Sequence, residues 1–368
     1  MPTFSTSSTS STSSSPKTLL IMAGGTGGHV FPALAIAHQL KAEGHNVVWL
    51  GAPDSFESRK VPENGFAIET IAVSGLRGKG VVKLLSAPFL LLKAVWQARS
   101  VLKKIQPQVV LGMGGFAAGP GGVAAKWLGI PLVIHEQNAA AGLTNRALAK
   151  IATRTLQAFP NTFKNAETVG NPVRAGFAEL PSPSERLHQH SGALRVLVIG
   201  GSQGAKALNE KVPAALAVLQ QQGLAMPEVW HQAGRTLDVA ETAYRQHGIS
   251  AKLEAFITDM PAAYAWADVV LCRSGASTIA ELAASGCASL LVPFPFAVDD
   301  HQSANAHYLV QGGAAWCIQE KDLSPETLAA RLHGCNRPEL IRMAEAARRL
   351  AWVDAVPRTV AVLLKESL

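Results

Sequence analysis

One loop pattern occurs twice in this chain. Gly-Gly-Ser/Thr-X-Gly stands at 24–28 and again at 200–204, each time directly after a short apolar run, Lys17-Thr-Leu-Leu-Ile-Met-Ala23 and Arg195-Val-Leu-Val-Ile199. A helical pattern follows each loop: Phe31, Leu34, Ile36 and Leu40 are apolar up to the stop at Gly44, and a second stretch starts from Ala205. Strand, glycine turn and helix form the opening of a doubly wound α/β unit, so the repeat predicts two of them. Further strands are expected at 47–50, 68–73, 109–113 and 132–135, then at 229–232, 251–256, 269–272 and 289–292. Alternation with helical stretches argues for parallel sheets. The polar, Pro-containing segment 178–192 reads as the linker between domains at 17–177 and 193–345. A length of 368 residues suits two cores, and 48% hydrophobic against 16% charged residues lets nearly all of it fold compactly.

Several classes of protein are disfavoured. Residues 1–16 carry twelve Ser or Thr and no charge, which makes a disordered extension and not a signal peptide. The longest uncharged apolar run nearby, Leu84 to Leu92, falls far short of the roughly 20 residues that span a bilayer, so neither export nor a membrane span is expected. Cys272, Cys287, Cys317 and Cys335 form no C-x-x-C pair and read as buried thiols of a reducing compartment. Charge is uneven: 17 Lys and Arg face 7 Asp and Glu through Gly176, whereas 16 face 19 beyond it. From Thr70 to His135 there is no acidic residue, while Lys79, Lys83, Lys93, Arg99 and Lys126 mix with Leu84, Phe89, Leu90, Leu91, Trp96 and Trp127. Basic side chains among aromatics and leucines suit an anionic membrane surface, with part of the leucines expected in the core. No nucleic-acid-binding motif accompanies the charge.

The candidate site residues lie at loop and helix starts. A glycine turn at a strand's end, followed by a helix N-terminus, favours an anion or polar acceptor, and it does not match the dinucleotide pattern G-x-G-x-x-G. His29, just after the first loop, is either a general base or a structural histidine. Ser202 in the second loop suits a pyrophosphate or merely caps a turn. In Cys272-Arg-Ser-Gly-Ala-Ser-Thr-Ile-Ala-Glu281, Ser274 and Gly275 open a helix whose N–H groups face an anion, and Glu281 either holds a ribose or is a solvated side chain. Asp299, Asp300, His301, Gln302 and Asn305 form a cluster able to read sugar hydroxyls. Adjacent carboxylates make a poor octahedral site and no D-x-D occurs, so neither a metal nor another cofactor is expected.

Eight segments in register now resemble one family. They are Met22-Ala-Gly-Gly-Thr-Gly-Gly-His-Val-Phe-Pro32, Ser74-Gly-Leu-Arg-Gly-Lys79, Gly112-Met-Gly-Gly-Phe116 with Gly119-Pro-Gly-Gly122, His135-Glu-Gln-Asn138, Gly170-Asn-Pro-Val-Arg174, Gly200-Gly-Ser-Gln-Gly204, Arg273-Ser-Gly-Ala276 and Asp300-His-Gln302. The chain resembles the bacterial N-acetylglucosaminyltransferases that make lipid II from lipid I. That resemblance implies a GT-B fold, two Rossmann-like domains facing across a cleft, with a C-terminal helix at 346–368 crossing back to the first. It implies UDP-N-acetylglucosamine as donor and undecaprenyl-pyrophosphoryl-N-acetylmuramoyl pentapeptide as acceptor, at the cytoplasmic face of the inner membrane. By analogy Ser202, Ala276, Ser277 and Thr278 contact the diphosphate, Ile257 the uracil and Glu281 the ribose, with Gln302 and His301 on the sugar. Thr26, Gly27, Gly28, Asn138 and Arg174 correspond to the remaining donor contacts. The implied reaction is a single inverting displacement with His29 as first candidate base and Glu136 as second. Partners among cell-wall synthesis and division proteins are implied only by the family's role.

Rival readings stay open on the sequence. Another GT-B enzyme, such as a glycolipid synthase or a nucleotide-sugar 2-epimerase, shares the frame. A nicotinamide-dependent oxidoreductase is disfavoured by the missing G-x-G-x-x-G, and a non-catalytic nucleotide-sugar sensor differs only in turnover.

Overall fold

The computed structural model describes residues 15–73, 81–201 and 203–368. The tail up to residue 14, the 74–79 motif with Lys79, and Ser202 lie outside the described residues. In the first domain, strands β1 (Thr18–Met22), β2 (Asn46–Gly51), β3 (Ala67–Thr70), β4 (Val109–Gly112), β5 (Leu132–Glu136), β6 (Arg154–Gln157) and β7 (Glu167–Thr168) line up as β3-β2-β1-β4-β5-β6-β7. In the second, β8 (Arg195–Ile199), β9 (Glu228–Gln232), β10 (Lys252–Glu254), β11 (Val269–Cys272), β12 (Ser289–Leu291) and β13 (Ala315–Cys317) line up as β10-β9-β8-β11-β12-β13. Every pairing is parallel.

Strand residues are apolar on both faces because helices cover both. Leu19 and Ile21 pack with the Gly27–Ala42 helix, while their neighbours Leu20 and Met22 pack with the Val81–Ile105 and Ala118–Trp127 helices. Each fully buried Leu or Ile contributes about 1.5–3 kcal/mol over an exposed one. Strand order reverses between β1 and β4 and again between β8 and β11. Such reversals open a crevice beyond the strand ends, and both glycine loops sit there.

The C-terminal segment departs from the expected boundaries. The Arg337–Arg349 helix packs on the second domain, and only the Ala355–Glu366 helix returns to the first, where Val360 and Leu363 join the core beside the Gly27–Ala42 helix. Lys17 Nζ donates to the Leu364 carbonyl and Ser367 Oγ, and Arg154 pairs with Glu366 at 2.8 Å, which fastens that helix down. The 178–192 segment is also more ordered than a polar linker. It holds a Pro183–His188 helix with a Ser182/Glu185 capping box, and buried Arg186 donates to the Ser285 and Gly286 carbonyls of the second domain.

The first domain exposes an apolar face. From Pro88 onward along the Val81–Ile105 helix, the buried residues are Ala94, Val95, Ala98 and Leu102. Before these, Phe89 is 78% exposed, and Leu90, Leu91 and Leu92 are exposed as well, so these three are not among the leucines expected in the core. Lys93 and Trp96 are exposed beside them, and Lys83 and Leu84 fall near the start of the same helix. Trp96 meets Trp127 edge-on at 5.3 Å, with the Arg99 guanidinium over both rings. Among the described residues no helix is long and apolar enough to cross a membrane. All four cysteines are free; Cys272 and Cys287 are buried as expected, whereas Cys317 is exposed and Cys335 half-buried.

Candidate active site

The first loop is built by close approach. Gly115, at φ +92°, lies against Gly24 so tightly that an added Cβ would stand 2.7 Å from the Gly24 backbone nitrogen and oxygen. Only glycine permits both that φ and that approach. Beneath the loop, Ser55 caps the Phe56–Glu63 helix and brings Glu57 into its first turn. The buried Glu57 carboxylate accepts from the Gly25 N–H at 3.0 Å and the Ala52 N–H at 3.2 Å. Trp49 Nε1 donates to the Ala23 carbonyl from below at 2.8 Å. The loop thus leads rigidly into the Gly27–Ala42 helix, whose N-cap Thr26 makes no side-chain capping bond.

His29 stands in the first turn of that helix, half-buried. Its Nδ1 lies 2.9 Å from the Gly24 carbonyl oxygen. A carbonyl only accepts, so in the neutral ring Nδ1 carries the proton and Nε2 keeps its lone pair. That Nε2 lies over Gly114, where a methyl group would come within 3.1 Å of it. The ring is therefore oriented by one nitrogen and, in the neutral tautomer, keeps its lone pair on the other.

Glu136 ends β5 and is also buried, but both its oxygens are committed. Oε1 accepts from Asn138 N at 3.0 Å and Asn138 Nδ2 at 3.2 Å; Oε2 accepts from Gly142 N at 3.1 Å and Asn145 Nδ2 at 2.9 Å. Four donors on one carboxylate make Glu136 the organiser of the 138–145 loop, which removes it as second candidate base. Next to it, His135 donates from Nε2 to the Gly170 carbonyl and receives Gln137 Nε2 at Nδ1. Burial pushes its pKa down to about 4, partly offset by the Gly170 carbonyl and by Glu136.

The second domain faces this with the Ala276–Ser285 helix, opened by Gly275 without a side-chain cap. Ser277 Oγ is buried near this helix start with no hydrogen-bond partner among the described residues. Glu281 Oε1 accepts from Arg174 Nη2 at 3.2 Å and Oε2 from the Tyr264 hydroxyl at 3.4 Å. Burial pushes the Glu281 carboxyl upward, and the Arg174 charge opposes the shift. Arg174 itself lies between the rings of Phe31 and Phe177. Gln302 Oε1 accepts from Ser274 N at 3.3 Å and Phe294 N at 3.0 Å. The second glycine loop closes on Gly234: a Cβ there would meet Gly204 N at 2.3 Å and Gly201 O at 2.5 Å.

Set against known proteins, residues 19–157 match the glycosyltransferase family 28 N-terminal domain and residues 195–356 its C-terminal domain. The chain belongs to glycosyltransferase family 28. Two family 28 relatives are each named UDP-N-acetylglucosamine--N-acetylmuramyl-(pentapeptide) pyrophosphoryl-undecaprenol N-acetylglucosamine transferase. That of Xanthomonas axonopodis pv. citri is 52% identical, covering 95% of this chain and 82% of its own; that of Dechloromonas aromatica is 50% identical, covering 92% and 96%. The crystal structure of Acinetobacter baumannii MurG superposes with a TM-score of 0.83 at 41% identity, covering 95% of this chain and all of that one. The two Rossmann-like domains are the GT-B architecture.

In this family 28 chain, His29, Thr26, Gly27, Gly28, Asn138 and Arg174 lie on the first domain's side of the junction. Ala276, Ser277, Thr278, Glu281, His301 and Gln302 sit on the helices Ala276–Ser285 and His301–Gln311 of the second. Three expectations change. Ile257 is 2% exposed in the core and its N–H donates to Gln232 Oε1, so its side chain is closed to a base. Asp299 pairs with Arg146 of the first domain at 3.3 Å. Asn305 is buried between the domains and reads no sugar. Among the described residues no three His, Cys, Asp or Glu gather as a metal site. Glu57, Tyr264 and Gly234 escaped the sequence reading because each acts through a neighbour distant in sequence; the Ser55 capping signal was the single local clue, and it marks a helix start only.

Proposed function

We infer that the protein transfers N-acetylglucosamine from UDP-N-acetylglucosamine to the C4 hydroxyl of the N-acetylmuramoyl residue of lipid I, forming lipid II for peptidoglycan synthesis. The observation that carries this reading is identity of half or more along nearly the whole chain with transferases named for that reaction. The C4 oxygen attacks the anomeric carbon from the face opposite the diphosphate. As that bond forms, the bond to UDP breaks, the departing oxygen keeps the electron pair, and an α-linked donor gives a β-1,4 product. The hydroxyl proton goes to His29 Nε2, the lone-pair nitrogen left by the bond to Gly24. Negative charge growing on UDP meets the N–H groups at the start of the Ala276–Ser285 helix and the Ser277 hydroxyl, which has no partner among the described residues. In this reading no metal is required and Glu281 takes the ribose hydroxyls.

The exposed Phe89, Leu90–Leu92 and Trp96 with Lys93 support docking on an anionic bilayer as a peripheral protein, which brings the site to a lipid-borne acceptor at the cytoplasmic face. Loss of the activity is then expected to disturb cell shape and division, since wall growth consumes the product. The test is transfer of labelled N-acetylglucosamine to a short-chain lipid I analogue with EDTA present. Transfer in the chelator is expected. Absence of transfer with and without added divalent cation, in protein that binds UDP-N-acetylglucosamine, would refute the acceptor; transfer only with the cation would refute the metal-free step.

A further inference from the structure

Asn305 has no exposed surface, yet every hydrogen-bonding group of its side chain is used. Oδ1 accepts from the Ala139 N–H at 2.8 Å, and Nδ2 donates to Asn138 Oδ1 at 3.2 Å and to the Ser274 carbonyl at 3.1 Å. Ala139 and Asn138 belong to the first domain; Ser274 and Asn305 belong to the second. Two ion pairs also cross the junction, Arg174 to Glu281 and Arg146 to Asp299, through arginines that are 40% and 52% exposed. Phe159 and Phe177 of the first domain meet Tyr308 and Tyr264 of the second edge-on at a buried apolar cluster. The exposed Arg146–Asp299 pair stabilises little, and apolar ring contacts set no hydrogen-bond register. A buried amide with three partners resists displacement, because each partner left unsatisfied carries a desolvation penalty.

Both sides of this contact lead into the site. Asn138 is held at its other end by Glu136, through its N–H and its side-chain amide. Ser274 directly precedes the Gly275 cap of the Ala276–Ser285 helix, and its hydroxyl donates to the Gln302 carbonyl at 2.8 Å. A continuous chain of hydrogen bonds therefore runs Glu136, Asn138, Asn305, Ser274, Gln302, from one domain's loop to the other's leaving-group helix. We propose that Asn305 is a positioning residue that sets the register of the two domains for transfer. The base is carried by the first domain and the diphosphate by the second, so their separation is set by contacts across the junction. This inference rests on the transfer reading above. A misplacement of about 1 Å costs on the order of 100-fold in rate, which sets the scale of the expected loss.

The test compares wild type with Asn305→Ala in the full-length protein. Expected are a kcat lower by roughly 10–100-fold and a UDP dissociation constant, from calorimetry, within about threefold of wild type. An Asn138→Ala/Asn305→Ala double variant should be no slower than the slower single variant, since both break one chain. Backbone amide exchange in peptides covering residues 137–142 should speed up, while the β11 strand stays protected. Should the alanine variant not fold, the isosteric Asn305→Asp serves: it keeps the acceptor for Ala139 and loses both donations, with the same loss of kcat expected. A folded variant with kcat within threefold of wild type, or losses that multiply in the double variant, would overturn the proposal. If wild type transfers no sugar to lipid I, the functional reading fails separately; unchanged 137–142 exchange in the variant would then still overturn the clasp.

Discussion

Replacing His29 by alanine separates its two tasks. Nδ1 orients the ring on the Gly24 carbonyl, 2.9 Å away, and Nε2 is placed to receive the acceptor's proton. Loss of a positioned general base costs about 10²–10⁴ in rate, or roughly 2.7–5.5 kcal/mol of barrier. The Gly24 carbonyl left behind is beside a half-buried side chain and can be rehydrated, so the cost to folding should be small, on the order of 1 kcal/mol. Donor binding should change little, because the Ala276–Ser285 helix, Glu281 and Gln302 lie on the other domain. The expected result for His29→Ala is therefore kcat down by about 10²–10⁴ with the UDP-N-acetylglucosamine KM changed less than about threefold. His29→Asn is the control: its amide can replace Nδ1 on Gly24 and offers nothing at the Nε2 position. If proton transfer is the task, the asparagine variant is as slow as the alanine one. Steady-state kinetics with a soluble lipid I analogue read both variants. Recovery of kcat in His29→Asn would recast His29 as a loop anchor, and wild-type kcat in His29→Ala would sink the assignment outright.

The remaining predictions probe packing, protonation and docking. Gly115→Ala forces a Cβ to 2.7 Å from the Gly24 backbone at φ +92°, whereas Gly25→Ala has a similar φ of +88° and no atom within 4 Å. Both carry strain of roughly 1–3 kcal/mol, but only Gly115→Ala should also lower transfer at least tenfold; equal activities would refute the close-approach argument. Burial depresses His135 to about 4 and His231 to about 3, so the folded chain holds both neutral while the unfolded chain protonates them near pH 6.5. Stability should therefore fall as pH drops from about 6.5 toward 4, by up to about 1.4 kcal/mol per pH unit for each histidine. Urea midpoints of His231→Gln should fall less steeply with acid than those of wild type, and parallel curves would refute the assignment. Lys93→Ala should weaken binding to anionic vesicles about fivefold, near 1 kcal/mol, at low salt and less at high salt. Unchanged sedimentation with vesicles for both Lys93→Ala and Phe89→Ala would remove this face from the membrane.

Local pattern carried much of this protein. Apolar runs ending in glycine loops, repeated at 24–28 and 200–204, are short-range signals, and both fell at strand-to-helix turns as the repeat requires. The strands expected at 195–199 and 269–272 have those limits in the structure, because continuous burial on both faces leaves an unbroken apolar run. Strands Arg154–Gln157 and Glu167–Thr168 gave no such run, since they are short edge or near-edge strands carrying polar side chains, and the edge strand Ala315–Cys317 is apolar but only three residues long. Within the site, the sequence by itself determined which residue types stand at loop ends and helix starts: His29, Ser277, Glu281 and Gln302. Tertiary structure alone decided what each does with its hydrogen bonds. Glu136 and Asn305 read as chemistry in the sequence, yet one is saturated by four N–H donors and the other is buried across the junction. Spacing along a chain specifies which face of a helix or strand a side chain occupies. Whether its polar atoms remain free for a substrate depends on partners brought from up to 167 residues away, and only the packed fold selects those.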